Sequence, residues 1–245
     1  MLMRSFNDGT ISANAGEFEK ALKSYRTALM IAENEQTGRA YLAKIHFNLG
    51  VCLYQQGRTA RAVTELNAAI NLRNGQYQKA FYVLGMAESQ QNNWLSSRKA
   101  FLEAIKLNKA DGEAWFDLGM VYLAQSDFGK AEKAFRNSII YRSTDSALSH
   151  NNVGVILAMK GEFSIAEKEF EKALFLSAGR LIEAENNLKY CKARSRNLPE
   201  LLAKLEFSRR FGRLRAAEVA EVRTLVRAYI HADLFAIAYA RAYAI

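Results

Sequence analysis

Apolar side chains return every three or four residues along this chain, and short polar or glycine-bearing breaks interrupt them at regular intervals. Trp115, Leu118 and Tyr122 fall at i, i+3 and i+7, and Phe128, Ala131 and Phe135 then repeat that spacing. An apolar face with a period near 3.6 predicts an amphipathic helix. Each such region therefore reads as two short helices joined by a tight turn. Breaks such as Gln56-Gly57 and Lys160-Gly161 divide other stretches in the same way. Asp127 directly precedes Phe128, where its carboxylate can accept from the free amides of the second helix.

The helix pairs recur. Five segments align on Gly9, Gly50, Gly85, Gly119 and Gly154, at spacings of 41, 35, 34 and 35 residues. Twelve residues after each glycine stands a small residue: Ala21, Ala62, Ser97, Ala131 and Ala166. Four later comes a large apolar one: Tyr25, Leu66, Phe101, Phe135 and Phe170. Three further on the residue is small again: Ala28, Ala69, Ala104, Ser138 and Ala173. Periods of this length mark stacked supersecondary units, since one helical hairpin cannot bury its apolar face alone.

The pattern resembles the tetratricopeptide repeat (TPR) family over residues 2–178. The fourth segment carries it best, reading W-x-x-L-G-x-x-Y from Trp115 to Tyr122 and continuing through Phe128, Ala131 and Phe135. The resemblance implies an all-α fold, a right-handed α-α superhelix of five hairpins plus capping and C-terminal helices. The expected repeats lie at about 2–35, 39–74, 78–109, 112–143 and 146–178, together occupying 1–178. Residues 179–197 are expected to cap the stack through Leu181–Ala193, and 198–245 to form a basic helical extension opened by Pro199. Phe135 is expected to fill the gap toward the following pair. Two departures stand out. The family's usual proline at each repeat end is missing, with Asn74, Lys109, Ser143 and Ala178 near its place, which should soften those helix ends. The first segment has Ser5 and Asp8 where larger apolar residues are expected, so its first helix is the weakest element. The long first spacing implies one to two extra turns, assigned to a helix running from about Arg39 to Gln56.

Composition changes this picture little. Half of the 245 residues are apolar, about a quarter are charged, and Pro199 is the single proline. Cys52 and Cys191 are far apart and read as small buried residues, predicting neither disulfide nor zinc site. No apolar leader opens the chain and no run reaches the roughly 20 apolar residues a membrane helix needs, so a cytoplasmic location is expected. His46 and His150 occupy the place that Trp115 holds, and read as packing residues against the partner helix. No nucleophile, phosphate-loop or zinc motif occurs. Neither catalysis, a cofactor nor a small-molecule substrate is expected. Acidic residues in runs such as Glu167-Lys168-Glu169 and Glu171-Lys172 read as solvated outer faces.

The family resemblance implies that the first helix of each pair lines a concave groove. The inward positions are then Lys44, Phe47, Val51 and Tyr54; Lys79, Tyr82 and Met86; Phe116, Met120 and Leu123; and Asn151, Val155 and Met159. The carboxylate clamp by which TPR proteins hold acidic chaperone tails is absent, because Phe47 and Val51, Tyr82 and Met86, or Phe116 and Met120 fill its places, and Asp117 would repel a carboxylate. The expected role is a non-catalytic scaffold or adaptor, an assembly or secretion factor, that binds a helical or extended protein segment on an apolar surface. Charge suggests an alternative. Residues 1–178 carry 21 Lys/Arg against 18 Asp/Glu, whereas 179–245 carry 13 against 7. Lys189, Lys192, Arg194, Arg196, Arg209, Arg210, Arg213 and Arg215 form a basic segment that could meet nucleic acid or an acidic protein. The apolar stripe Val219, Val222, Leu225, Val226, Tyr229, Ile230 and Leu234 must be buried, and could join two subunits as a homodimer.

Overall fold

The register of apolar positions becomes ten helices in the computed structural model, which describes residues 1–192 and 194. In chain order they are α1 (Leu2–Asn14), α2 (Phe18–Asn34), α3 (Arg39–Gln55), α4 (Thr59–Leu72), α5 (Gln78–Gln90), α6 (Trp94–Leu107), α7 (Gly112–Ala124), α8 (Phe128–Ile140), α9 (Ser146–Met159) and α10 (Phe163–Leu176). A further helix, α11, begins at 182. The described residues contain no strand. The chain divides within α7 into two compact units, Met1–Val121 and Tyr122–Ile245.

The recurring glycines set the helix contacts. A Cβ added at Gly85 would lie 2.7 Å from Cδ1 of Phe101, one at Gly50 2.7 Å from Cγ of Leu66, and one at Gly9 2.7 Å from Cδ1 of Tyr25. In the second unit a Cβ at Gly154 would lie 2.6 Å from Cε1 of Phe170. Each large residue thus presses on the glycine of its own hairpin, rather than serving only to reach the next pair. These large side chains are at most 2% exposed. Burying one contributes about 1.5–3 kcal/mol. In the first unit Tyr25 and Leu66 join a core that includes Phe6, Leu22, Ile45, Leu49, Cys52, Ile70 and Leu84. Ser97 stands where the other hairpins have alanine, and its hydroxyl is satisfied by donating to the Gly85 carbonyl at 2.9 Å.

Helix α1 forms despite Ser5 and Asp8. Its Phe6 is buried, with its ring centroid 5.5 Å from that of Tyr25 and 5.5 Å from that of Tyr41. Phe6 supplies the apolar contact that the two polar residues do not. The extra length implied by the 41-residue spacing is shared, not confined to α3. Both α2 and α3 have 17 residues, against 14 in α4 and α6.

The repeat ends that lack proline are closed by the backbone instead of softened. Gln36, Asn74, Arg142 and Ala178 adopt positive φ after α2, α4, α8 and α10. The amide one residue later donates to a carbonyl five residues back: Thr37 to Ala32 at 2.8 Å, Gly75 to Ile70 at 2.9 Å, Ser143 to Ser138 at 2.9 Å and Gly179 to Leu174 at 2.8 Å. This is the Schellman closure, which satisfies carbonyls the helix leaves open. The end of α6 differs. Asn108 is extended, with φ −142° and ψ 91°. There side chains take part: Asn108 Oδ1 accepts from the Ala110 amide at 3.3 Å, and Asp111 Oδ1 caps the start of α7 by accepting from the Ala114 amide at 3.1 Å. Asp127 caps α8 as its position predicts, accepting from the Lys130 amide at 3.2 Å.

Candidate functional site

In the first unit the residues assigned to the groove share one helix face on α3, α5 and α7, since i, i+3 and i+7 lie together on a helix. Lys44 and Lys79 are exposed, and Phe47, Val51, Tyr54, Tyr82, Met86, Phe116 and Met120 are half-buried. Neighbouring helices hold them in place. The Phe47 ring lies 5.2 Å from that of Tyr77, and the Tyr82 ring 5.8 Å from that of Phe101. The Tyr82 hydroxyl donates to Asp117 Oδ2 at 2.8 Å, linking α5 to α7. Burial, then the nearby Asp117 carboxylate, raises the hydroxyl pKa of both Tyr54 and Tyr82. These phenols stay protonated and act as hydrogen-bonding, amphipathic surface rather than as acids. The Lys44 ammonium sits 4.8 Å over the Phe6 ring.

The second unit treats its assigned residues differently. Leu123 and Met159 are half-buried, but Asn151 and Val155 are only 8% and 7% exposed. Asn187 of α11 donates from Nδ2 to Asn151 Oδ1 at 3.0 Å within a buried contact. Ala184, Asn187 and Cys191 form the buried stripe of α11, at i, i+3 and i+7. Asn151 and Val155 are thus too buried for either side chain to be offered to a ligand.

The histidines face their partner helices as the sequence implies, and their partners are carboxylates. His46 Nδ1 lies 2.7 Å from Glu65 Oε2, and His150 Nδ1 2.6 Å from Glu169 Oε2. Glu169 is 6% exposed, which corrects its reading as part of a solvated charged face. Its hydrogen bond to His150, opposed by burial and helped by Lys172, lowers its pKa to about 2. Both pairs occupy equivalent places, four before and 15 after the repeat glycine. In the third repeat those places hold Phe81 and Ala100, and in the fourth Trp115 and Ala134. Histidine with glutamate thus exchanges for an aromatic with alanine from repeat to repeat. The exchange is visible only when the repeats are aligned position by position, because within a single helix each residue looks ordinary.

Of the basic segment, Lys189, Lys192 and Arg194 fall within the described residues. Lys189 pairs with Glu185 at 2.6 Å, and Lys192 with Glu171 at 3.2 Å. Arg194 is buried, its guanidinium 4.9 Å from the Tyr190 ring centroid. These three serve local packing and pairing rather than a bare cationic face. Arg196, Arg209, Arg210, Arg213 and Arg215 lie outside the described residues, as do Pro199 and the apolar stripe expected to join two subunits. Among the described residues no cluster of three His, Cys, Asp or Glu could hold a metal ion, and no helix is long and apolar enough to cross a membrane. Cys52 and Cys191 are buried free thiols.

Tetratricopeptide repeat models match residues 9–75 and 82–147. The chain belongs to the tetratricopeptide repeat family. Its fold is an all-α TPR solenoid. The crystal structure of MamA is similar, with a TM-score of 0.62 and 24% identity over 69% of this chain and 94% of MamA. YrrB, described as a TPR protein with an unusual peptide-binding site, has a TM-score of 0.61 and 22% identity over 76% of this chain and 90% of its own. At these identities the likeness shows the fold. In sequence the chain is 25% identical over 182 residues to human protein O-mannosyl-transferase TMTC1. It is also 26% identical over 148 residues to anaphase-promoting complex subunit 3 of Schizosaccharomyces pombe. These matches cover 73% and 60% of this chain but only 20% and 21% of those proteins. The chain therefore spans about a fifth of the length of the curated relatives it matches.

Proposed function

We propose that this TPR protein is a non-catalytic scaffold or adaptor that binds a segment of another protein along the first helices of its repeats, in the service of assembly or secretion. One observation carries the reading. Phe47, Val51 and Tyr54 on α3, Tyr82 and Met86 on α5, and Phe116 and Met120 on α7 remain only half-buried after the first unit has packed. Large apolar side chains left partly open in one place mark an interaction surface, and aromatic and methionine side chains suit a helix or extended segment laid against them. The peptide-binding description of YrrB and the multi-subunit complex named for the fission-yeast relative agree with this role. The transferase name belongs to a protein of which this chain matches a fifth, and it is not carried over.

The test is a quantitative pull-down with the full chain, comparing wild type, Phe116→Ala/Met120→Ala, and Leu95→Ala, whose side chain is exposed elsewhere. Proteins retained by wild type and Leu95→Ala should be lost from the double variant while its helical circular dichroism is unchanged. Equal retention by all three refutes the assignment of this surface.

A further inference from the structure

The half-buried face also carries a charge pattern along its edge. Lys44 on α3 and Lys79 on α5 stand one turn before Phe47 and Tyr82, at the same place in neighbouring repeats. Helices α3 and α5 are in contact. Both lysines are exposed, and neither has a carboxylate within ion-pair distance among the described residues. Lys44 lies over the Phe6 ring, and Lys79 makes no polar contact within the described fold. On α7 the same place holds Glu113, with Asp117 one turn further on. Both α7 carboxylates are engaged within the fold, Asp117 by the Tyr82 hydroxyl, so the open charge along this edge is the positive pair on α3 and α5.

We infer that the segment bound by this face is amphipathic, with its acidic residues clustered where it crosses α3 and α5. The inference rests on the groove reading and deepens it. Opposed charges at a rim fix register and direction more than they add affinity. An exposed lysine with no internal carboxylate gives up no existing ion pair when one arrives. This is distinct from a carboxylate clamp. Phe47 and Tyr82, not cations, occupy the innermost places, so the ligand contributes carboxylate side chains at the edge and apolar side chains in the middle.

The test selects twelve-residue peptides from a random phage-displayed library against the full chain, and measures the selected peptides by fluorescence anisotropy. The expected peptides combine apolar residues with Asp or Glu clustered toward one end. Lys44→Glu/Lys79→Glu should weaken them about tenfold and should itself select Lys- or Arg-bearing peptides from the same library. Each single pair is exposed and contributes a few-fold at most, so the double reversal is needed. Phe116→Ala/Met120→Ala should weaken the same peptides as well. Peptides that need Phe116 and Met120 but show no acidic enrichment and bind the charge-reversed variant equally overturn the acidic preference and leave the groove standing. Peptides indifferent to both variants, or no enrichment over the unselected library, overturn the groove reading and this inference with it.

Discussion

His150 on α9 and Glu169 on α10 meet at 2.6 Å in the interior of the fifth hairpin, at the places where the third has Phe81 and Ala100. The two solutions fill one gap by different means, and each residue is matched to its partner. Glu169→Ala leaves a largely buried histidine unpartnered, and His150→Phe sets an apolar ring against a carboxylate. Either single change is expected to destabilise by roughly 2–4 kcal/mol. His150→Phe/Glu169→Ala should recover much of that loss, with a coupling of at least about 1 kcal/mol in a double-mutant cycle by urea unfolding. Additive losses would mean that the two positions are independent.

Acid should undo the same contact. Glu169 has its pKa lowered from 4.5 to about 2 by its bond to His150, against the cost of burial and with help from Lys172. A carboxylate held low in the fold contributes stability that is fully present above its unfolded value and is lost as pH falls through the folded one. The window therefore runs from 4.5 down to about 2. The stability gap between wild type and Glu169→Gln, up to roughly 3 kcal/mol near neutrality, should close across that window. Denaturant melts at a series of pH values measure it.

Much of this architecture is legible in the amino-acid pattern, and the reason is steric. Gly85 and Phe101 stand 16 residues apart because one supplies the hole and the other the knob, so the same pairing recurs along the repeats. The His150–Glu169 contact obeys the same geometry, but its two halves look like ordinary polar residues on separate helices until the repeats are superposed. Helix α1 is hard to read because Ser5 and Asp8 break its pattern while Phe6 is its one large buried side chain. Asn151 is misplaced for another reason: it is spent on Asn187 of α11, a contact that the positions within its own repeat do not show.

The hole at Gly85 makes a sharp prediction. Gly85→Ala gains helix propensity but puts a methyl 2.7 Å from the ring of Phe101, itself 1% exposed and unable to withdraw. Overpacking should win by about 1–3 kcal/mol. Gly129→Ala is the control, because a Cβ there meets nothing within 4 Å. It should be neutral or stabilising by up to about 1 kcal/mol. Thermal denaturation of the two variants beside wild type gives both signs.

Burial raises the thiol pKa of Cys52 to about 11 and, with Glu167 nearby, that of Cys191 to about 12. Only the thiolate is nucleophilic. At pH 8 iodoacetamide should leave both untouched in the folded chain and label both within minutes once denaturant is added, as read by intact mass. Fast labelling of Cys52 alone in the native protein would mean that the core of the first unit opens readily.

The closures that end α2, α4, α8 and α10 each pair a backbone amide with a backbone carbonyl, but side chains add to three of them. Asn74 Oδ1 accepts from Arg39 at 3.4 Å, Ser143 Oγ from the Asp145 amide at 3.1 Å and Ser177 Oγ from the Leu181 amide at 3.2 Å, whereas the connection between α2 and α3 makes no such use of Gln36 or Thr37. The connection between α2 and α3 is therefore the natural place to drift in sequence, or to accept an inserted tag or epitope, at little cost to the repeats on either side. The connection after α6 has no such licence, because Asn108 and Asp111 themselves accept from backbone amides there. Variation should therefore be tolerated unevenly along a chain whose repeats look interchangeable.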